Sequence, residues 1–249
     1  HAFDMHTESA TPTDNMPMVM ALLELWQTHY LGTNTHVVLP YAQKLAHLPD
    51  FLQQLSMESN GKRVSPTGEL FEHHTAPVLW GSAGTIGQHS YYQLLHQGTR
   101  SFSADIILPL RSSEGDRNAR RALAGHALAQ SRALMVGRST EQARQLGAER
   151  GFDESASRQF ELPGNHGHSL LIMDAITPEC LGALIAAYEH KTYFLAVLLE
   201  INPFDQWGVE LGKVIAGRMQ TVLSSDDSDV EMDPSTLAAA KAWRAANPD

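Results

Sequence analysis

Three stretches of this sequence combine an ionisable side chain with a backbone setting suited to proton transfer. The first is Gln54-Leu55-Ser56-Met57-Glu58-Ser59-Asn60-Gly61-Lys62. Asn60 and Gly61 leave the right-handed helical region readily, so Glu58 is expected in the last turn of a helix. The negative end of the helix dipole disfavours an ionised carboxylate there, the setting a carbon-acid base needs near neutral pH. Gln54, four residues earlier, shares its face and can point at the same ligand. The second stretch runs from Val78 to His89, with glycines at 81, 84 and 87 between an expected strand and an expected helix. It resembles an anion-cradling turn, with His89 in the first turn of the following helix. The positive dipole end favours a neutral imidazole there, which can shuttle protons at pH 7. The third is Asn202-Pro203-Phe204-Asp205-Gln206-Trp207-Gly208-Val209-Glu210-Leu211-Gly212-Lys213. Asn202 as N-cap and Pro203 at the first helical position open a helix on which Gln206 and Lys213 share a face. Its two glycines cost about 1 kcal/mol each relative to alanine, which predicts close packing on that face.

Each stretch also has a plain account: a surface glutamate near a helix end, a capping or core histidine, a solvated lysine. Among the 13 histidines, His73-His74 and His166-Gly167-His168 invite a metal. Neither belongs to a helical i, i+4 pair or a Cys/His array, so loop histidines without metal are expected.

The elements that must position these groups read as strands alternating with helices. Helices are expected over 18–30, 41–56 (split at Pro49), 88–97, 120–136, 181–199, 203–219 and 235–246. Short apolar strands are expected over 35–40, 77–81, 104–110 and 169–173. This alternation predicts a three-layer α/β/α sandwich on a mainly parallel sheet, with a C-terminal helical tail. Ligands of such sheets sit beyond the carboxyl ends of the strands, where the informative residues are expected to fall. The domain boundary is expected at 223/224, with 224–249 forming an acidic linker and a short terminal helix.

Composition narrows the function classes. Of 249 residues, 43% are hydrophobic and 18% charged, enough for one sizeable core. No apolar run reaches the roughly 20 residues a membrane span needs, and the first residues do not read as a signal peptide. The formal charge of −10 argues against nucleic acid or an anionic membrane as partner. A single cysteine, Cys180, rules out an internal disulfide framework and fits the reducing cytoplasm. At the start of an apolar helix it is expected to be a buried structural thiol.

Taken together and in order, these stretches resemble the phosphoglucose isomerase family. Met57 to Lys62 is similar to the family's catalytic-glutamate motif. Gly84-Thr85 with Gly87-Gln88-His89, then Tyr92 to Thr99, is similar to its histidine segment. Phe204 to Lys213 is similar to its lysine signature, the most specific of the three. Weaker likenesses are Thr35-His36, Leu39-Pro40-Tyr41, Leu128-Ala129-Gln130, 181–185 and Tyr188-Glu189-His190-Lys191; together they cover the chain from Met5 to about Leu237.

The resemblance implies a sugar-isomerase-type domain that interconverts glucose 6-phosphate and fructose 6-phosphate in glycolysis and gluconeogenesis, without cofactor or metal. Glu58 would move the proton between C1 and C2 through a cis-enediol. His89, donated across a homodimer interface, would assist ring opening. Lys213 would act near the ring oxygen, and Gln54 and Gln206 would hold the sugar phosphate. The sequence departs from the family at Ser82, Ala83 and Ile86, before His89. The family's Ser/Thr-rich phosphate loop and its Gly-Gly-Arg segment do not occur here. The chain is therefore expected to be the C-terminal domain of a longer protein, with negligible turnover alone. A non-catalytic sugar-phosphate-binding domain is the alternative, but a sensor has no need of Glu58, His89 and Lys213 together. Nothing in the sequence supports an extracellular signalling role.

Overall fold

Four apolar runs form the strands: β1 (Thr35–Pro40), β2 (Val78–Gly81), β3 (Ser103–Arg111) and β4 (His168–Ala175). In the computed structural model, which describes residues 1–224 and 230–248, they make one fully parallel sheet in the order β2-β1-β3-β4. The helices in chain order are α1 (Ala2–Ser9), α2 (Met16–Leu25), α3 (Leu48–Gln53), α4 (Gly84–Gln88), α5 (Tyr92–Gln97), α6 (Arg117–Val136), α7 (Thr140–Glu149), α8 (Glu154–Ser157), α9 (Pro178–Leu198), α10 (Glu210–Ser224) and α11 (Pro234–Ala246).

Successive strand side chains point to opposite faces. Val37 and Leu39 of β1, with Ala104, Ile106 and Leu108 of β3, pack against Tyr92 and Leu95 of α5 and Ala127 and Leu134 of α6. Val38 and Ile107 face the other way, toward Met20 of α2, Leu48 and Leu52 of α3, and Leu184 and Tyr188 of α9. The expected three-layer α/β/α sandwich is therefore the observed one. Val37, Val38, Leu39, Ile106 and Ile107 have no exposed surface. Burying each such side chain stabilises the fold by about 1.5–3 kcal/mol before its entropy cost.

Punctuation residues set most boundaries. Pro49 stands in the first turn of α3, and Thr177 caps α9 ahead of Pro178. Packing divides the chain into two compact units, His1–Phe204 and Asp205–Asp249. In the second, Val222 of α10 and Ala240 of α11 are buried, Arg244 donates to the Val222 carbonyl, and Asp233 caps α11. The expected acidic linker includes residues 225–229, which lie outside the described residues.

Four expectations fail locally, the first over 41–47, where the expected helix is only a tight turn at Gln43–Leu45 and α3 starts at Leu48. The helix expected over 88–97 is two short helices, α4 and α5, with His89 between them. The helix expected from 203 starts only at Glu210, after a tight turn at Trp207–Val209. Phe204 adopts a left-handed φ of 61°, which a helix cannot absorb. Cys180 is half-buried and lines a surface cleft with Met173 and Leu184, not a closed core. The helix α7 was not anticipated, although Ser139 and Gln142 form a reciprocal capping box at its start.

Candidate active site

Glu58 stands where the sequence places it along the chain, near the end of a helix. The helix that begins at Leu48 widens into a π-type turn over Gln54–Glu58, continues through Asn60 and stops at Gly61. A Cβ on Gly61 would lie 2.3 Å from the Met57 carbonyl oxygen, so only glycine allows the chain to turn away here. The Lys62 ammonium donates to the carbonyls of Glu58 and Ser59 at 2.6 and 2.7 Å, satisfying acceptors the helix end leaves open. Glu58 is half-buried and Gln54 exposed. Asn60 is almost wholly buried and donates to the Thr192 carbonyl of α9 at 3.1 Å. The Leu79 amide, at the start of β2, donates to the Met57 sulfur at 3.3 Å. Glu58 therefore belongs to the amino end of the sheet, not the carboxyl end where ligands of parallel sheets were expected.

His89 belongs to the other end. It follows β2 through Gly81 and lies just past the last residue of α4, exposed, with its amide donating to the Ile86 carbonyl. The expectation of a first-turn histidine is thus corrected. Its neighbour Gln88 donates to the Tyr41 hydroxyl at 2.9 Å, and Tyr41 follows the last residue of β1. Tyr41 also bonds the Tyr92 hydroxyl (2.9 Å), and the Ser82 hydroxyl bonds that of Tyr91 (2.7 Å). Burial pushes the phenols of Tyr41, Tyr91 and Tyr92 above the usual range, so all three stay neutral hydrogen-bonding groups. The glycines of this turn accommodate rings and backbone: a Cβ on Gly84 would lie 2.4 Å from the Tyr41 ring, and one on Gly87 2.6 Å from the Tyr91 hydroxyl. Gly81, at φ +156°, passes over the Val38 carbonyl, 2.0 Å from where a Cβ would be. Their spacing is thus explained by close approach to tyrosines and strand, not by an anion cradle. Of the three departures, Ser82 joins this hydroxyl web, Ala83 is buried and Ile86 is exposed.

Gln206 and Lys213 lie in the second unit. Gln206 is exposed and precedes the Trp207–Val209 turn, whereas Lys213 is exposed in the first turn of α10, so the two do not share a helical face. A Cβ on Gly208 or Gly212 would meet nothing within 4 Å, so the expected close packing there is absent among the described residues. Within the first unit, Gln54 and Glu58 share one helix, and His89 is at the opposite end of the sheet.

Sequence reasoning missed the buried polar groups between sheet and α9. His36 of β1 bonds Ser103 at 2.7 Å and Asp105 at 3.0 Å, and the Tyr188 hydroxyl donates to Asp105 at 2.9 Å. Lys191 of α9 pairs with Glu24 of α2 at 2.6 Å, both almost fully buried, and lies over the Tyr188 ring. Burial alone would raise the Asp105 carboxyl. The charges of His36 and Lys191 and its hydrogen bonds overcome this and hold it below the usual carboxylate range. Burial likewise opposes the Lys191 ammonium, and the carboxylates of Glu24 and Asp105 hold it above its ordinary value. The available signal was a single aspartate inside an otherwise apolar strand, Ala104-Asp105-Ile106-Ile107.

Among the described residues, no three His, Cys, Asp or Glu side chains are grouped to hold a metal, and no helix is long and apolar enough to cross a membrane.

A parallel sheet in this order between two helical layers places the chain among doubly wound α/β proteins. The chain belongs to the phosphoglucose isomerase family, whose model matches residues 1–239. It is 43% identical to a glucose-6-phosphate isomerase of Hahella chejuensis, over 99% of this chain and 45% of that one. It is 44% identical to one of Jannaschia sp., over 97% of this chain and 46% of that one. A crystal structure of a glucose-6-phosphate isomerase from Chlamydia trachomatis superposes with a TM-score of 0.82 at 31% identity, covering 99% of this chain and 44% of the other. The chain thus spans less than half the length of these relatives.

Proposed function

We propose that this chain supplies the proton-transfer groups of a glucose-6-phosphate isomerase. The Glu58 carboxylate removes the C2 proton of the open-chain aldose and returns it to C1, passing through a cis-enediol. His89 assists ring opening, Lys213 stabilises charge near the ring oxygen, and Gln54 and Gln206 hold substrate hydroxyls. No cofactor takes part, and the setting is cytoplasmic. Chain beyond these 249 residues holds the phosphate group.

The observation that carries this reading is that Glu58, His89 and Lys213 all fall within the 239 residues matched to the family. A binding module would need none of them. The placement of Glu58 and His89 at opposite ends of one sheet supports a homodimer in which the imidazole serves the neighbouring copy's Glu58.

The test is a coupled assay of isomerisation on the protein as its source encodes it, beside its Glu58→Gln variant. Removing a general base should lower kcat by about 10²–10⁴-fold with little change in KM. Activity retained by Glu58→Gln, or absent from the encoded protein, would exclude this reading.

A further inference from the structure

The gap between β1 and β3 is where the sheet's winding reverses. From β1 the chain crosses to β2 on one side, and from β3 to β4 on the other. The connections after these two strands diverge, leaving a crevice beyond their carboxyl ends, the usual ligand position in open parallel sheets. A cleft of about 450 Å³ lies there, inside the roughly 300–1,000 Å³ range of small-molecule sites. Leu110 and Leu123 contribute apolar wall above the buried Tyr41 and Leu108, and Arg111, Arg117, Arg120 and Arg121 contribute charge. No carboxylate is among the lining residues. In a chain with a formal charge of −10, four arginines around one cleft are a local concentration of cations, with only Arg111 offset by a carboxylate, that of Asp174.

Two of the four are fixed. Arg111 makes a two-pronged contact with Asp174, its Nε donating at 2.8 Å, and the Arg120 guanidinium donates to the carbonyls of Ser112 and Gly115 at 3.1 and 3.2 Å. Arg117 and Arg121, one turn apart on α6, make no hydrogen bond or ion pair among the described residues. Like charges so spaced repel by about 0.2–0.5 kcal/mol, a cost that an anion between them removes. The planar guanidinium fork matches the oxygens of phosphate and can bind them two at a time.

We propose that this cleft binds a small phosphorylated metabolite through its phosphate group, engaging Arg117 and Arg121, with Leu110 and Leu123 against the remainder of the ligand. The site is separate from Glu58, which lies at the opposite end of the sheet, and does not depend on the isomerase reading.

Calorimetric titration of the whole 249-residue chain with inorganic phosphate at low ionic strength tests this. Saturable binding is expected, with a Kd of about 1 mM or tighter. Arg117→Gln/Arg121→Gln should weaken it about tenfold or more. Glu58→Gln should leave it unchanged, as should Arg132→Gln, which removes an exposed arginine farther along the same helix. Phosphate should also shift the Nε resonances of Arg117 and Arg121 in the unsubstituted chain, a readout independent of how the variants fold. Absence of saturable binding, equal weakening by Arg132→Gln, or shifts confined to other arginines would overturn the proposal. No turnover is measured, so either outcome leaves the isomerase reading to its own test.

Discussion

The two ends of the sheet are built from different interactions. At the amino end, near Glu58, α2, α9 and the strands are joined by buried charges: Lys191 on Glu24, and His36 and Tyr188 on Asp105. At the carboxyl end, near His89, the partners are neutral: the hydroxyls of Tyr41, Tyr91, Tyr92 and Ser82 with the Gln88 amide. Buried ion pairs are costly to break because one partner is left as an uncompensated charge. Neutral hydroxyl bonds yield at about 1 kcal/mol each. The segment that carries the candidate base therefore rests on the stiffer support, and the segment that carries the imidazole on the more adaptable one.

Three measurements test this contrast. The largest effect is expected from Lys191→Met, which strands the Glu24 carboxylate. Urea unfolding should show a loss of about 3–5 kcal/mol, largely recovered in the double variant with Glu24→Met. A loss below about 1 kcal/mol would mean that the amino end is no stiffer than the other.

Gly84→Ala probes the carboxyl end by overpacking the Tyr41 ring. It should destabilise by about 1–3 kcal/mol. Gly125→Ala, mid-way along α6 where a Cβ meets nothing, should instead stabilise by about 0.4–1 kcal/mol. Equal responses at the two glycines would remove ring packing as the reason for Gly84.

The smallest effect per step is the acid limb. Asp105 binds its proton at lower pH in the folded chain than in the unfolded one. Its contribution is therefore complete above the ordinary carboxylate value, near pH 3.9, and declines as pH falls from there toward its folded value. One proton limits the slope to about 1.4 kcal/mol per pH unit. Asp105→Asn should flatten this part of the stability profile, whereas Tyr91→Phe should leave it unchanged. An unaltered acid limb in Asp105→Asn would assign acid sensitivity to other carboxylates.

The strands were legible because apolar, β-branched runs such as Thr35-His36-Val37-Val38-Leu39 leave little alternative. The start of α3 was legible where Pro49 fixes the backbone, whereas the Thr177 cap of α9, four residues ahead of the expected start at 181, was not. The setting of His89 was not, because Gly84 in α4 packs against the ring of Tyr41, 43 residues earlier in sequence. Local helix preference carries no trace of that. The start of α10 was misplaced for a similar reason: Asn202-Pro203 is a sound helix opening, but a left-handed Phe204 overrides it. Glu58 was found by its neighbours in sequence. Its place at the amino end of the sheet was not, because the length of the crossover helix, and not any motif, carries it there.

That placement has a kinetic consequence. Under the proposed sharing of His89 between copies, one chain holds two unlike half-sites at opposite ends of its sheet and no complete one. A twofold pair completes both at once, since each copy gives and receives in the same act. Dilution would then extinguish activity in pairs of sites, and in the dissociated regime initial velocity would rise with the square of chain concentration before becoming linear.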